Sequence, residues 1–165
     1  MTSRDSEDDL HNSNTGALDA THGATARVLA VRVGPCVPYA FKGRFWTSAI
    51  TKYPRDGPVW ACVDGLIGDQ HGDTRVHGGA DKALFCYPAA HYAYWRRDLA
   101  LPELSPGAFG ENLVLEGADE NDAHIGDVVR IGSALAQVSQ PRRPCWRPVG
   151  IGVARTWLYA LLPPG

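Results

Sequence analysis

Residues 128–138 read VVRIGSALAQV, and this stretch gives the clearest indication of the architecture. Two short runs of apolar and β-branched residues flank Gly132 and Ser133, a spacing that is typical of a β-hairpin. Similar runs, several of them closed by glycine or proline, occur at residues 27–33, 59–63, 83–87, 112–116 and 156–162. Short strands joined by frequent turns predict a small, predominantly antiparallel β-barrel.

One helix is expected among the strands, over residues 88–99. Pro88 suits the first helical turn, and His91, Trp95 and Leu99 recur at intervals of four on one face. The 18 glycines and 12 prolines of the 165-residue chain favour turns over a helical bundle. The predicted fold class is therefore mostly β with a few helices.

The first 26 residues differ in composition from the rest of the chain. Residues 1–25 contain five acidic residues and a single arginine, with few large apolar side chains. We expect residues 1–26 to be a disordered acidic tail and residues 27–165 to form one domain. The total charge of −2, less −4 for the tail (1 − 5), leaves +2 on the domain.

Charge and hydropathy exclude several classes of protein. A net charge of −2 offers no strong field to nucleic acid or to an anionic membrane, so neither is an expected partner. The sequence contains no apolar run of roughly 18 residues and no secretory signal pattern. We therefore expect a cytoplasmic protein.

The four cysteines are widely separated, and none belongs to a C-x-x-C pair. This spacing disfavours a zinc ribbon or a disulfide framework and indicates free thiols. Three of them, Cys36, Cys62 and Cys86, are expected to be buried small apolar side chains. Only Cys145 has neighbours that suggest chemistry.

Residues 65–79, GLIGDQHGDTRVHGG, concentrate acids, imidazoles and an arginine between glycines. One interpretation is a divalent-metal site, although no established ligand spacing is matched. Its carboxylate and imidazole ligands would be Asp69, His71, Asp73 and His77. The plainer alternative is that the aspartates cap turns and the histidines are partly exposed loop residues.

A second interpretation of the same loop is an anion site. Gly78 and Gly79 can take positive φ, which turns backbone N–H groups into a concave surface, and Arg75 and Lys82 lie nearby in sequence.

Residues 108–113, AFGENL, place Glu111 and Asn112 between a glycine and a β-rich run. Such a pair can orient a polar heterocycle, because the acid accepts hydrogen bonds and the amide both donates and accepts them. Alternatively, Glu111 is a solvated residue at the start of a strand.

Residues 139–147, SQPRRPCWR, surround Cys145 with three arginines and two prolines. The positive field favours the thiolate, which ligates soft metals and attacks electrophiles. The prolines restrict the backbone on the N-terminal side of the cysteine. The alternative is that Cys145 packs beneath the rim of the barrel among solvated arginines.

Taken together, these segments resemble the MOSC domain, the C-terminal module of molybdenum cofactor sulfurases. The likeness is to its stand-alone bacterial branch, which is linked to resistance against N-hydroxylated base analogues. It runs from about Val28 to the C-terminus and includes Ser48 to Lys52. The motifs that carry it are residues 65–83, 87–95, 109–113, 124–132 and 138–146. The resemblance implies a β-rich barrel.

The resemblance also implies a molybdenum cofactor (molybdopterin), a pterin dithiolene with a phosphate, and reduction of N-hydroxylated bases or amines. Cys145 matches the cysteine expected to ligate molybdenum, and His77 is the candidate proton donor. Candidate cofactor-binding residues are Lys52, Arg75, Gly78, Gly79, Lys82, Glu111, Asn112, Arg142 and Arg143. Since the sequence has no flavin or iron–sulfur motif, a separate electron-donating reductase is expected as partner.

Two departures from the family pattern leave alternatives open. Only ten residues separate Cys145 from Thr156, where relatives carry a longer segment, and the C-terminal part appears shortened. The protein could instead be a non-catalytic carrier of cofactor or sulfur, or a degenerate member of the family. The roles of Asp69, His71 and Asp73 stay undecided.

Overall fold

In a computed structural model of the chain, the structure describes residues 17–20, 25–98, 102 and 104–142. The strands and the single helix of these residues follow in chain order. They are β1 (Ala17–Ala20), β2 (Thr25–Val33), β3 (Val37–Phe41), β4 (Arg44–Ser48), β5 (Tyr53–Pro54), β6 (Ala61–Cys62), β7 (Gly65–Leu66), β8 (Cys86–Pro88), α1 (Ala90–Asp98), β9 (Leu113–Glu116), β10 (Val128–Ile131) and β11 (Ala134–Gln137). A short 3-10 helix covers Ala80–Lys82.

The main sheet has seven strands, six of them in the order β11-β10-β1-β2-β9-β8, with β5 added to the end of β2. All its pairs are antiparallel except β8 with β9. The hairpins β3–β4 and β6–β7 form two further sheets of two strands each. The prediction of a mostly β, antiparallel fold is therefore confirmed.

Among the described residues the main sheet is open. Strands β8 and β11 lie at its two edges, and each pairs with one neighbour only. A barrel closes only when its edge strands pair with each other, so these residues do not form the closed barrel that we predicted.

The predicted hairpin at residues 128–138 is confirmed as β10–β11, with Gly132 at φ 59° in the turn. Other predicted strands are present but shorter: 59–63 is reduced to β6, and 83–87 is shifted to β8. The predicted helix 88–99 is α1, and Leu99 lies outside the described residues, as does the predicted strand 156–162.

Strand β1 corrects one expectation about the N-terminal segment. Residues 17–20 and 25–26 lie in β1 and β2, although we expected disorder throughout residues 1–26. The prediction of disorder was based on side-chain composition. Strand β1 is held by backbone hydrogen bonds to β2 on one side and to β10 on the other, which composition does not reveal. Residues 1–16 and 21–24 lie outside the described residues.

The core has two parts on either side of β9. One consists of Ala26, Val28 and Leu113, which bury the face shared by β2 and β9. The other joins Tyr92 of α1 to Leu104 and Phe109 of the loop before β9. This second cluster fixes the loop that carries residues 109–112, and so fixes one wall of the site described below.

The described cysteines Cys36, Cys62 and Cys86 are free thiols. The expectation that they are buried is wrong for Cys62, whose side chain is exposed. Cys36 is half-buried, and burial of the Cys86 thiol raises its pKa to about 11. None of the described helices has the length and the apolar composition needed to cross a bilayer.

Candidate functional site

A concave pocket lies where four segments of the chain meet. The lining comes from the end of β4 and the residues after it, from the loop 70–82, from the residues before β9, and from Arg142 after β11. Its members are Ser48, Ala49, Ile50, Lys52, Gln70, His71, Gly72, His77, Lys82, Phe85, Phe109, Gly110, Asn112 and Arg142. These segments are distant in sequence, and each contains residues that we singled out above.

Close backbone approach holds the loop 70–82 against β4. A Cβ on Gly72 would lie 2.5 Å from the carbonyl oxygen of Thr47 and 2.7 Å from Cα of Ser48, so only glycine fits. The backbone N–H of Gln70 donates to the carbonyl of Gly34 at 3.0 Å. The side-chain Oε1 of Gln70 accepts from the backbone N–H of Cys36 at 2.6 Å.

The segment after β11 is held to the other side of the pocket. The hydroxyl of Ser139 and the amide of Gln140 both donate to the carbonyl oxygen of Asp81, at 2.6 and 3.2 Å. Arg142 then places its guanidinium 5.1 Å from the ring centroid of Phe85, a cation–π contact. The predicted residue Arg142 therefore reaches the pocket.

Lys52 lies in the pocket wall and is paired with Asp69. Its ammonium donates to Asp69, and the two side chains are 6% and 0% exposed. Burial lowers the pKa of Lys52; the hydrogen bond and charge of Asp69 oppose this, and nearby Arg142 reinforces it. Lys52, which we predicted as a cofactor-binding residue, therefore lies in the pocket wall. The buried carboxylate of Asp69 partly neutralises its charge.

The Asp69 carboxylate also accepts from two other segments. The backbone N–H of Gly34 donates to it at 2.8 Å, and Nδ2 of Asn112 at 2.8 Å. Asp69 is therefore a buried anchor that joins β2, Lys52 and the start of β9. Its role, undecided from the sequence, is to organise the pocket wall.

Asn112 lines the pocket with its amide already engaged. Nδ2 donates to the carbonyl of Arg32 at 3.2 Å as well as to Asp69, and Oδ1 accepts from the N–H of Phe85 at 3.1 Å. Both amide hydrogens are used. Asn112 thus positions the wall, and direct binding of a cofactor through this amide stays untested.

Glu111 lies on the far side of the same loop, fully buried. Its carboxylate accepts from the hydroxyl of Tyr92 and from the backbone N–H groups of Gly107 and Phe109. Burial and the adjacent carboxylate raise the pKa of Tyr92, which keeps its proton. Glu111 does not line the pocket, so the structure supports a structural role rather than the predicted contact with cofactor.

Of the two predicted cations of this loop, Lys82 lines the pocket and Arg75 does not. Arg75 is exposed and pairs with Asp73 through two bonds of 2.9 and 3.0 Å, away from the pocket lining. Asp73 raises the pKa of Arg75. Lys82 does line the pocket, and its ammonium donates to the carbonyl of Val76 at 3.0 Å.

Two histidines line the pocket, His71 and the predicted His77. Gly78 and Gly79 take positive φ, 78° and 76°, as the loop interpretation requires. The backbone N–H of His77 donates to the carbonyl of Asp73 at 2.9 Å. Burial lowers the pKa of His71, so this imidazole is uncharged near neutral pH.

The divalent-metal interpretation is not supported. Within the part of the chain that the structure describes, no three His, Cys, Asp or Glu side chains are grouped to hold a metal ion. The reason is that Asp69 is committed to Lys52 and Asp73 to Arg75.

Two predicted residues, Arg143 and Cys145, lie outside the described residues. Conversely, the pocket includes Ser48 and Gln70, to which the sequence analysis gave no role, and His71, which it named only as a candidate metal ligand. All three fall within motifs that we quoted. Motif membership could therefore have placed them near the site, although it could not have shown which side chains turn inward.

Comparison with known proteins agrees with this arrangement. Residues 73–151, which include His77, Lys82, Asn112 and Arg142, match the family model for the MOSC domain. The chain belongs to the MOSC domain family.

Three known proteins are similar to this chain over most of its length. Protein YiiM of Escherichia coli is 41% identical over 135 residues, covering 72% of this chain and 59% of that protein. A Gibberella moniliformis protein named Reductase is 39% identical, over 73% of this chain and 22% of its own. The crystal structure of YiiM from Geobacillus stearothermophilus has a TM-score of 0.57 at 33% identity, over 82% of this chain and 57% of the other. The chain thus spans little more than half the length of the YiiM proteins.

Proposed function

We propose that this MOSC protein binds a molybdenum cofactor in the pocket and reduces N-hydroxylated bases or amines. One observation carries the proposal. Of the described residues that line the pocket, three are cationic and none is acidic: Lys52, Lys82 and Arg142. Even with Lys52 partly neutralised by Asp69, the charge favours an anionic ligand.

The residues of the pocket fit a metal that arrives already chelated. The lining offers cations and imidazoles rather than the clustered carboxylates that would capture a free divalent ion. Lys82 and Arg142 would hold the phosphate of the pterin, and the planar guanidinium of Arg142 could donate two parallel hydrogen bonds to it.

Cys145 remains the proposed thiolate ligand. It follows Arg142 by three positions, and three residues span at most about 11 Å. The proposal for Cys145 thus rests on the motif that it matches and on its closeness in sequence to Arg142. The adjacent arginines favour its ionised form.

Reduction of an N-hydroxyl group consumes two electrons and two protons and yields an amine and water. The two electrons come through the bound cofactor. The protein's part is to bind, orient and supply a proton: His77 in the lining donates it to the departing hydroxyl. The relative named Reductase supports reductive chemistry, and a separate reductase stays our proposal for the electron source, as does a cytoplasmic location.

The first test measures cofactor content. The full chain is expressed in cells that make the cofactor, and molybdenum and pterin are measured per chain. We expect about one of each in the wild type and in the control Cys62→Ser, whose exposed thiol lies in β6, and loss of metal in Cys145→Ser. A wild-type protein without molybdenum would refute cofactor binding.

A charge-matched pair of variants tests the pocket itself. Lys82→Met and Arg75→Met remove one positive charge each, but only Lys82 lines the pocket. We expect about tenfold weaker cofactor retention in Lys82→Met, the usual effect of one charge-assisted hydrogen bond, and little change in Arg75→Met. Equal losses would mean that net charge, not the pocket, holds the ligand.

Turnover separates an enzyme from a carrier. The loaded protein is incubated with a hydroxylaminopurine and an artificial electron donor, and loss of the compound is followed. Turnover that falls in His77→Gln supports the reductase. A loaded protein without turnover would favour the carrier alternative.

A further inference from the structure

His71 lines the pocket, and its ring is held by glycine backbone. A Cβ on Gly78 would lie 2.7 Å from Cγ and 2.8 Å from Nδ1 of this imidazole, and a Cβ on Gly65 would lie 3.5 Å from Cε1. Both glycines have positive φ, 78° and 147°. The position of the ring therefore depends on the absence of a side chain at Gly78.

No side chain or backbone group among the described residues forms a hydrogen bond with the His71 ring. The neighbouring amides of Gln70 and Asn112 are, by contrast, held by hydrogen bonds. Oε1 of Gln70 and Oδ1 of Asn112 already accept from the backbone N–H groups of Cys36 and Phe85. The cations of the pocket, Lys82 among them, are donors only. An uncharged His71 therefore offers this wall an acceptor nitrogen that no hydrogen bond among the described residues uses.

Burial and the charges around His71 both act on the pKa of its imidazole. Burial lowers its pKa most; the charges of Lys52 and Arg142 lower it further, while those of Asp69 and Asp64 oppose them. An uncharged imidazole has one nitrogen that donates and one that accepts.

Resting on the proposed function, we propose that His71 accepts the hydrogen bond from the N–O–H group of the substrate, and that Gly78 positions its ring to do so. The cations of the pocket are donors and would bind the oxygen of a hydroxylamine, whereas its hydrogen needs an acceptor. The unprotonated nitrogen of His71 supplies one. The residue would thereby select N-hydroxylated compounds over their O-alkylated counterparts.

The positioning by Gly78 is tested without turnover. NMR titration follows the His71 imidazole, assigned with His71→Gln, in Gly78→Ala and in the control Gly79→Ala. Both variants carry the backbone cost of positive φ, but a Cβ on Gly79 meets nothing within 4 Å. We expect the His71 signals to shift and its pKa to rise toward the usual value in Gly78→Ala only. Unmoved signals in that variant would overturn the positioning role.

The recognition is tested with two compounds, a hydroxylaminopurine and its O-methyl derivative. In the loaded full chain we expect His71→Leu to raise KM for the hydroxylaminopurine about tenfold, as for one lost hydrogen bond, with kcat little changed. The preference over the O-methyl compound should vanish. His71→Gln, which keeps an acceptor, should restore most of it.

The outcomes separate this inference from the function on which it rests. Wild-type turnover with the preference unchanged in His71→Leu would overturn the role of His71 and leave the reductase intact. If the loaded wild type has no turnover, the reductase fails, and Kd values for the same two compounds decide the role of His71 instead.

Discussion

Asp69 holds three segments together through one carboxylate. It binds the ammonium of Lys52, the backbone N–H of Gly34 and the amide of Asn112, all with its own side chain fully buried. A buried carboxylate is tolerated only where such partners compensate the lost hydration. Removal of Asp69 would leave a buried ammonium and two donors unpaired.

We therefore expect Asp69→Ala to lower the free energy of unfolding by about 3–5 kcal/mol, measured by urea denaturation. Glu116→Ala is the control, since it breaks the exposed pair with Arg27 at 2.6 Å, and we expect it to cost less than about 1 kcal/mol. A cost for Asp69→Ala as small as that of the control would contradict the anchoring role.

At the scale of elements, the site depends on how the loop 70–82 docks on the end of β4. Gly72 makes the closest approach, and its φ is not in the left-handed region, so substitution there meets a steric obstacle alone. The hairpin tip at Gly43 offers the opposite case, because a Cβ there meets nothing within 4 Å although φ is 74°.

Gly72→Ala should push the loop away from Thr47 and Ser48, at a cost of about 1–3 kcal/mol. Amide hydrogen exchange should become faster through residues 70–77 in this variant. Gly43→Ala should cost about 1 kcal/mol from its backbone conformation and leave exchange in the loop unchanged. Loop exchange that is the same in both variants would mean that docking does not depend on this contact.

At the scale of the whole molecule, buried tyrosines make stability depend on alkaline pH. Burial raises the pKa of Tyr87 to about 12 and also raises that of Tyr92. In the unfolded chain a tyrosine ionises near pH 10. Unfolding above pH 10 therefore releases protons, so stability falls as pH rises from 10 toward the folded pKa values.

We expect Tyr92→Phe to reduce this fall by about 1.4 kcal/mol per pH unit between pH 10 and 12, one proton fewer being released. Urea denaturation at several pH values measures the slope. Between pH 7 and 9 tyrosines are protonated in both states, so the slopes of wild type and variant should coincide there. An unchanged slope above pH 10 would show that Tyr92 ionises while folded.

Much of the fold could be predicted from local pattern. The hairpin β10–β11 follows from two apolar runs around Gly132-Ser133. The helix α1 is predicted from Pro88 and the spacing of His91 and Trp95, although the residue that it buries is Tyr92. Strand β1 could not be predicted, because its stability comes from backbone pairing with β2 and β10 rather than from its own composition. That the sheet formed by the described residues is open was likewise invisible to local pattern, since closure depends on edges that are distant in sequence.

For the site, the sequence by itself determined which segments contribute residues to the pocket, because residue types and their spacing within a motif are local properties. Only the tertiary structure decided which side chains face the pocket. Glu111 turns into the core, Arg75 pairs outside with Asp73, and His71 faces the ligand space. Those outcomes depend on which segments fold against one another, since burial and pairing are set by neighbours from elsewhere in the chain.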